Sequence, residues 1–254
     1  MMNALENAKY ELCLRLGDSA LIIGHRLSEW CGHAPILEED IALTNVALDF
    51  VGLSRNLLNY AAQIQNQGKT EDDLAYMRDV VSYRNALITE QPIGDFALTM
   101  ARQFFYDVFT HFFYHELCKS HDITLKGIAE KAVKEIDYHL RHSTEWMYRL
   151  GDGTDESHEK LQNAVDELWM FTGDMFATDD HYALLQQNNI VPDMNSIKEA
   201  WNQKVNAVFE TATIKLPQHS YMQSGSLKGL HTEHLGFLLA EMQHVPRSYP
   251  NSNW

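Results

Sequence analysis

Apolar residues recur at helical spacing along almost every long stretch of this chain, and no segment shows the strict alternation of a half-buried strand. The periodicity predicts a first helix over 4–30, broken at Gly32-His33-Ala34-Pro35, and a second from 37 to 66, ending near Gly68. A shorter helix opens at Thr70, whose hydroxyl and the Asp73 carboxylate suit a capping pair. A third long helix follows the Pro92-Ile93-Gly94 turn and covers 95–119. Asp122 opens the fourth, which Gly151-Asp152-Gly153 ends near 150. Further helices are predicted over 156–177, from Ser196 (with Glu199 completing a capping box) and from Thr232 to Val245. Residues 216–230 read as loop, and the tail from about 246 as irregular. No repeat or low-complexity linker divides 1–254, so the expectation is a single all-α domain. Its four long helices, each about 40 Å at 1.5 Å per residue, should pack as an up-and-down bundle.

The second helix carries the sharpest detail. Ile41, Leu43, Val46, Leu48, Phe50, Val51, Leu53, Leu57 and Leu58 make it apolar around most of its circumference, which predicts burial. Asn45, Asp49, Gly52, Asn56 and Asn59 nevertheless fall on one line along it. Buried amides and carboxylates cost about 1–3 kcal/mol each unless partnered, so this line should face other polar groups. Candidates stand on the other long helices: Arg15, Asp18, His25 and Glu29 on the first, Gln103, Asp107 and His111 on the third, and Glu135, Tyr138 or His139, and His142 on the fourth. The expectation is a polar seam through an apolar bundle. Its plainer version is a salt-bridged network with Arg15 or Arg55 neutralising the acids and no ligand present.

Four of these acids, Asp18, Asp49, Asp107 and Glu135, follow the order in which a di-metal bundle supplies its carboxylates. Such a bundle also places a histidine three residues after two of its acids. Here Gly52 follows Asp49 and Tyr138 follows Glu135 at that spacing. Without imidazole the set is a poor one for iron. Asp18, Asp49, Gly52, Asp107, Glu135 and Tyr138 therefore read as vestigial positions of a lapsed site. His139, four residues after Glu135, could retain one half-site. No catalytic residue, cofactor site or metal is expected in the chain.

Charge narrows the partners. A formal net charge of −15 opposes binding to nucleic acid and to anionic membrane surfaces. It also repels a polyanionic substrate unless a partner supplies positive charge. Cys13, Cys31 and Cys118 have no zinc-like or redox spacing and read as reduced thiols of a cytoplasmic protein. No leader peptide or membrane span is evident. The pair His231 and His234 around Glu233 lacks the metalloprotease spacing. It reads instead as the first turn of a helix capped by Thr232.

The stretch EWCGHAP from Glu29 to Pro35, continuing through EEDIALTNVALDFVGLSRN, resembles the C subunits of bacterial phenylacetyl-CoA epoxidase. So do EQPIGDFALTMARQFFYD, KAVKEIDYHLRHSTEW and KGLHTEHLGFLLAEMQ, which carry the likeness from Leu14 to about Gln243. The resemblance implies a ferritin-like fold and a non-catalytic role. In that assembly a homologous A subunit holds the di-iron centre that epoxidises the aromatic ring, with a small B subunit and a reductase completing the system. The alternative reading is a di-iron oxygenase in its own right, using a degenerate carboxylate site; an iron-storage protein is a weaker third. Which surface meets the A subunit, whether the chain alone forms homodimers, and whether it touches CoA are left open by the sequence.

Overall fold

The computed structural model describes residues 2–218, 221–250 and 252. Among them every regular element is helical: α1 (Ala4–Ser28), α2 (Leu37–Gln65), α3 (Glu71–Tyr76), α4 (Phe96–Leu117), α5 (Ile123–Gly151), α6 (Asp155–Thr172), α7 (Asp180–Gln187), α8 (Met194–Thr211), α9 (Glu233–Met242) and α10 (His244–Ser248). Short 3-10 turns occupy Val80–Ser82, Leu87–Glu90, Gly173–Phe176 and Ser226–Lys228.

The helix boundaries follow local chemistry. Asn3 and Glu6 form a reciprocal capping box at α1, and Thr70 with Asp73 does the same at α3. Asp95 accepts from the Leu98 amide at the start of α4, and Asp122 accepts from Thr124 and Leu125 at the start of α5. The helix expected from Ser196 begins earlier, at Met194. There Asp193 is the cap and accepts from the Ser196 amide, so the Ser196–Glu199 box does not form. Residues 173–176 leave the α-helical path as a 3-10 turn, and the predicted C-terminal helix divides into α9 and α10. Part of the expected irregular tail, to Ser248, is therefore helical.

Short connections make α1 and α2 one antiparallel pair and α4 and α5 another. The long crossover through α3 and the two 3-10 turns joins the pairs. Small residues let α1 and α2 approach: a Cβ at Gly24 would lie 3.1 Å from the Ala47 carbonyl oxygen. Helix α4 is the central element. Every residue from Ala97 to Thr110 is buried, with α5, α6 and α8 packed on it. Phe104 and Phe105 mesh with Trp169, Trp201 and Phe209, Phe109 stacks on Phe113, and the Trp201 indole donates to the Phe105 carbonyl at 2.9 Å.

Helix α2 departs from expectation. Its inner side (Leu43, Val46, Phe50, Leu53, Leu57 and Leu58) is buried, but Asn45, Gly52 and Asn59 are exposed, with Asp49 and Asn56 half-buried. The line of amides thus borders solvent and does not run through the interior. Ile41, Leu48 and Val51 are exposed as well, at 54%, 63% and 37%. The apolar excess that predicted burial is in part an uncovered outer face.

Candidate functional site

The four acids do not converge. Asp18 is fully buried, and its carboxylate is taken by the Arg78 guanidinium in a two-pronged ion pair and by the Arg84 amide at 2.9 Å. Arg78 comes from the crossover after α3, where it also donates to the Ser82 carbonyl and lies over the Tyr83 ring. Arg15, on the same face of α1, donates to the Met175 and Asp174 carbonyls at 3.0 and 3.3 Å. Glu29 pairs with Arg26. The α1 part of the expected seam is thus a set of tethers to the crossover and to the turn after α6.

Asp107 is also fully buried, among aromatic residues of α4. Gln103 donates to one of its oxygens, and the Ser143 hydroxyl to the other at 2.7 Å. Burial raises its pKa to about 7, against the opposing pull of His139, Ser143 and Gln103. His139 of α5 is buried and bonds through Nε2 to Asp49 of α2 at 3.0 Å, while its Nδ1 has no partner. The imidazole packs against Phe50 with ring centroids 4.9 Å apart. Glu135 lines a small cleft of about 90 Å³ with Leu48, Asp49, Gly52, Leu53, Asn56, Ile128, Lys131 and Ala132. Its pKa is raised by burial and then by the nearby Asp49 charge.

This placement corrects the register read from the sequence. Glu135 lies half-exposed, and Tyr138 is 39% exposed beneath Arg141 and stacked on His142. Gly52 faces open space, with nothing within 4 Å of where a Cβ would stand. The residues of α5 that face inward are Ile136, His139 and Ser143. On α5 the imidazole is therefore present, and the inward position three residues before it holds isoleucine. One imidazole and two half-exposed acids, Asp49 and Glu135, meet across α2 and α5. Asp107 is tied to two neutral donors, and Asp18 is neutralised elsewhere. A two-metal centre wants a carboxylate from each of four helices and two imidazoles, and these residues do not fit it.

The C-terminal histidine pair also has a different task. Glu90, fully buried on the crossover, accepts from His231 at 2.8 Å, from the Asn85 amide at 2.9 Å, and from both the amide and the hydroxyl of Thr232. Thr232 thus spends its hydroxyl on Glu90 and makes no side-chain cap to α9. Asp174 does similar work, accepting from the Leu87 amide at 3.1 Å and the Gly225 amide at 3.0 Å. Apart from Asn85, these partners lie far apart along the chain, where no sequence periodicity could find them.

This geometry, two helix pairs clamped by a ligated crossover, sits beside a family match that spans residues 1–254. The chain belongs to the phenylacetic acid catabolic protein family. A relative in Escherichia coli (strain K12), the C subunit of 1,2-phenylacetyl-CoA epoxidase, is 46% identical over 241 residues, covering 95% of this chain and 97% of its own. The fold is accordingly all-α and ferritin-like, as the sequence predicts. None of the helices is long and apolar enough, among the described residues, to cross a membrane.

Proposed function

We propose that this chain is a non-catalytic structural subunit of a phenylacetyl-CoA epoxidase, the assembly to which its Escherichia coli relative belongs. It pairs with the di-iron A subunit and stabilises that subunit's shape, while a small B subunit and a reductase complete a cytoplasmic assembly. It holds no iron, cofactor or catalytic residue of its own. The observation that carries this reading is the state of the four acid positions. Asp18 is neutralised by Arg78, Asp107 is held by Gln103 and Ser143, Asp49 is bonded to His139, and Glu135 lies half-exposed in the cleft beside Asp49, which is too few free donors to share between two metal ions. The exposed apolar line Ile41, Leu48 and Val51 on α2 is in keeping with a protein that covers such a face by association.

The alternative, an oxygenase acting through a degenerate site, draws on one observation, the unpartnered Nδ1 of buried His139. A single imidazole beside Asp49 leaves that site far short of a two-metal donor set. Iron measured per chain in purified protein, together with co-expression alongside the A subunit, separates the two. The structural reading expects iron well below one atom per chain and a stable complex on size exclusion. Stoichiometric iron that disappears in Asp49→Ala would refute it, and so would failure of two folded partners to associate.

A further inference from the structure

The sequence pattern places His111 in the polar seam with Gln103 and Asp107, but the side chain lies outside that seam. It faces the outer surface of the α4–α5 pair, one turn from His115 on the same helix. Opposite both stands Asp137 of α5. Nδ1 of His111 lies 2.9 Å and Nε2 of His115 lies 2.8 Å from the same Asp137 oxygen. The two rings are 4.6 Å apart, and one ligand atom from each of the three residues falls within 4.8 Å of the others. Nothing in the proposed structural role uses these residues.

We propose that His111, His115 and Asp137 form a two-histidine, one-carboxylate site for a divalent transition ion of the Zn2+ class, bridging α4 to α5 with outer positions left to water. The donor set suits the chemistry, because borderline ions take imidazole nitrogen with carboxylate oxygen, whereas Mg2+ and Ca2+ prefer oxygen alone. The spacing suits it as well. Histidines four apart on a helix present their nitrogens on one face. A tetrahedral ion with bonds of about 2.0–2.1 Å holds its ligand atoms roughly 3.3 Å apart. The two nitrogen–oxygen separations need widen by only about half an ångström, and the two nitrogens, already within 4.8 Å of each other, can be brought to that spacing by side-chain rotation.

Electrostatics adds to this. Burial and the neighbouring His115 lower the His111 pKa, keeping its ring neutral and open to a metal. Lys204 of α8 is the opposing positive charge nearby, set against a chain whose overall charge is −15 and attracts cations. The ion would replace two hydrogen bonds to one oxygen with three coordinate bonds. It would fasten the helix that carries Asp107 to the helix that carries His139.

The test uses the full chain, stripped with chelator and titrated with Zn2+ by calorimetry, then with Co2+ for the visible absorption of a four-coordinate ion. One equivalent should bind more tightly than any other. His115→Ala and Asp137→Asn, both at exposed positions, should each weaken that equivalent at least tenfold and abolish the Co2+ spectrum with helical circular dichroism unchanged. His121→Ala and Cys31→Ser, at exposed sites elsewhere, should leave it unaltered. Zn2+ should also slow amide exchange near residues 111–115 and 133–140. The proposal is overturned if no equivalent stands out, if the tight one survives the His111→Ala/His115→Ala double variant, or if it follows Cys31.

Discussion

Replacing Asp107 by Asn should stabilise this protein, increasingly so as pH rises from about 4 to about 7. The carboxyl is fully buried and its pKa is raised to about 7, so the fold prefers it protonated. In the unfolded chain the same group ionises near about 3.9. Between those values the native state binds the extra proton, so wild-type stability must fall as pH rises through that window. At about 1.36 kcal/mol per unit, a separation of about three units costs roughly 4 kcal/mol once pH exceeds about 7. Asparagine removes the ionisation and keeps the geometry. Its carbonyl can accept from Gln103, and its amide can donate to the Ser143 hydroxyl, which has the His139 carbonyl at 3.1 Å as another acceptor.

Urea denaturation of both proteins at pH 4.0 and 8.5 measures the difference. The variant should match wild type within about 1 kcal/mol at pH 4.0, where the unfolded carboxyl is only about half ionised. It should exceed it by about 2–4 kcal/mol at 8.5, after allowance for relaxation around the charged group. A gap that does not change with pH, or a variant less stable at 8.5, would refute the argument that burial sets this carboxyl's charge.

Three further outcomes follow from the same contacts. Arg78→Met should destabilise the fold by about 3–5 kcal/mol by leaving the Asp18 charge buried alone, and adding Asp18→Asn should recover most of the loss in denaturant melts. Burial opposes the His231 charge, but the Glu90 carboxylate outweighs it and raises the pKa, so this pair's contribution is present in full below the ordinary histidine value and is lost as pH rises through the raised one. His231→Gln should therefore cost more stability at pH 5.5 than at 9, and an equal cost at both would count against the ion pair. Leu48→Glu on the outer face of α2 should leave the melting temperature within about 2 °C while reducing co-purification with the A subunit; an unchanged complex would show that this face lies outside the contact.

What is legible in the sequence is what neighbouring residues decide. Caps at Thr70, Asp95 and Asp122 and the glycine turn after 150 place short α3 and long α4 and α5, because the relevant partners lie within four residues. Short α7, with the sequence DHYALLQQ, offers too little period to stand out. The burial of α2 misleads for a physical reason: an apolar outer face and an apolar core face look alike in one dimension. The acids stand out as unusual along the chain, yet the direction each faces depends on packing. Ile136, not Glu135, sets the inward side of α5, which turns Tyr138 out and His139 in. The partners of Asp18, and the His231 and Thr232 groups that hold Glu90, come from segments sixty or more residues away, and only the folded chain reveals them.

The carboxylates of Glu90 and Asp174 have a bearing on how the protein is made. Both are sealed in by groups near residues 225–232, which leave the ribosome after all four long helices. Until those residues arrive, each carboxylate on the nascent bundle has only part of its donors, Asn85 for Glu90 and the Leu87 amide for Asp174, and must stay wet, holding the crossover loose. The helices can thus form in order of synthesis, while their final locking waits for that late segment. A pause or premature stop before it should yield a swollen intermediate and not a smaller native protein.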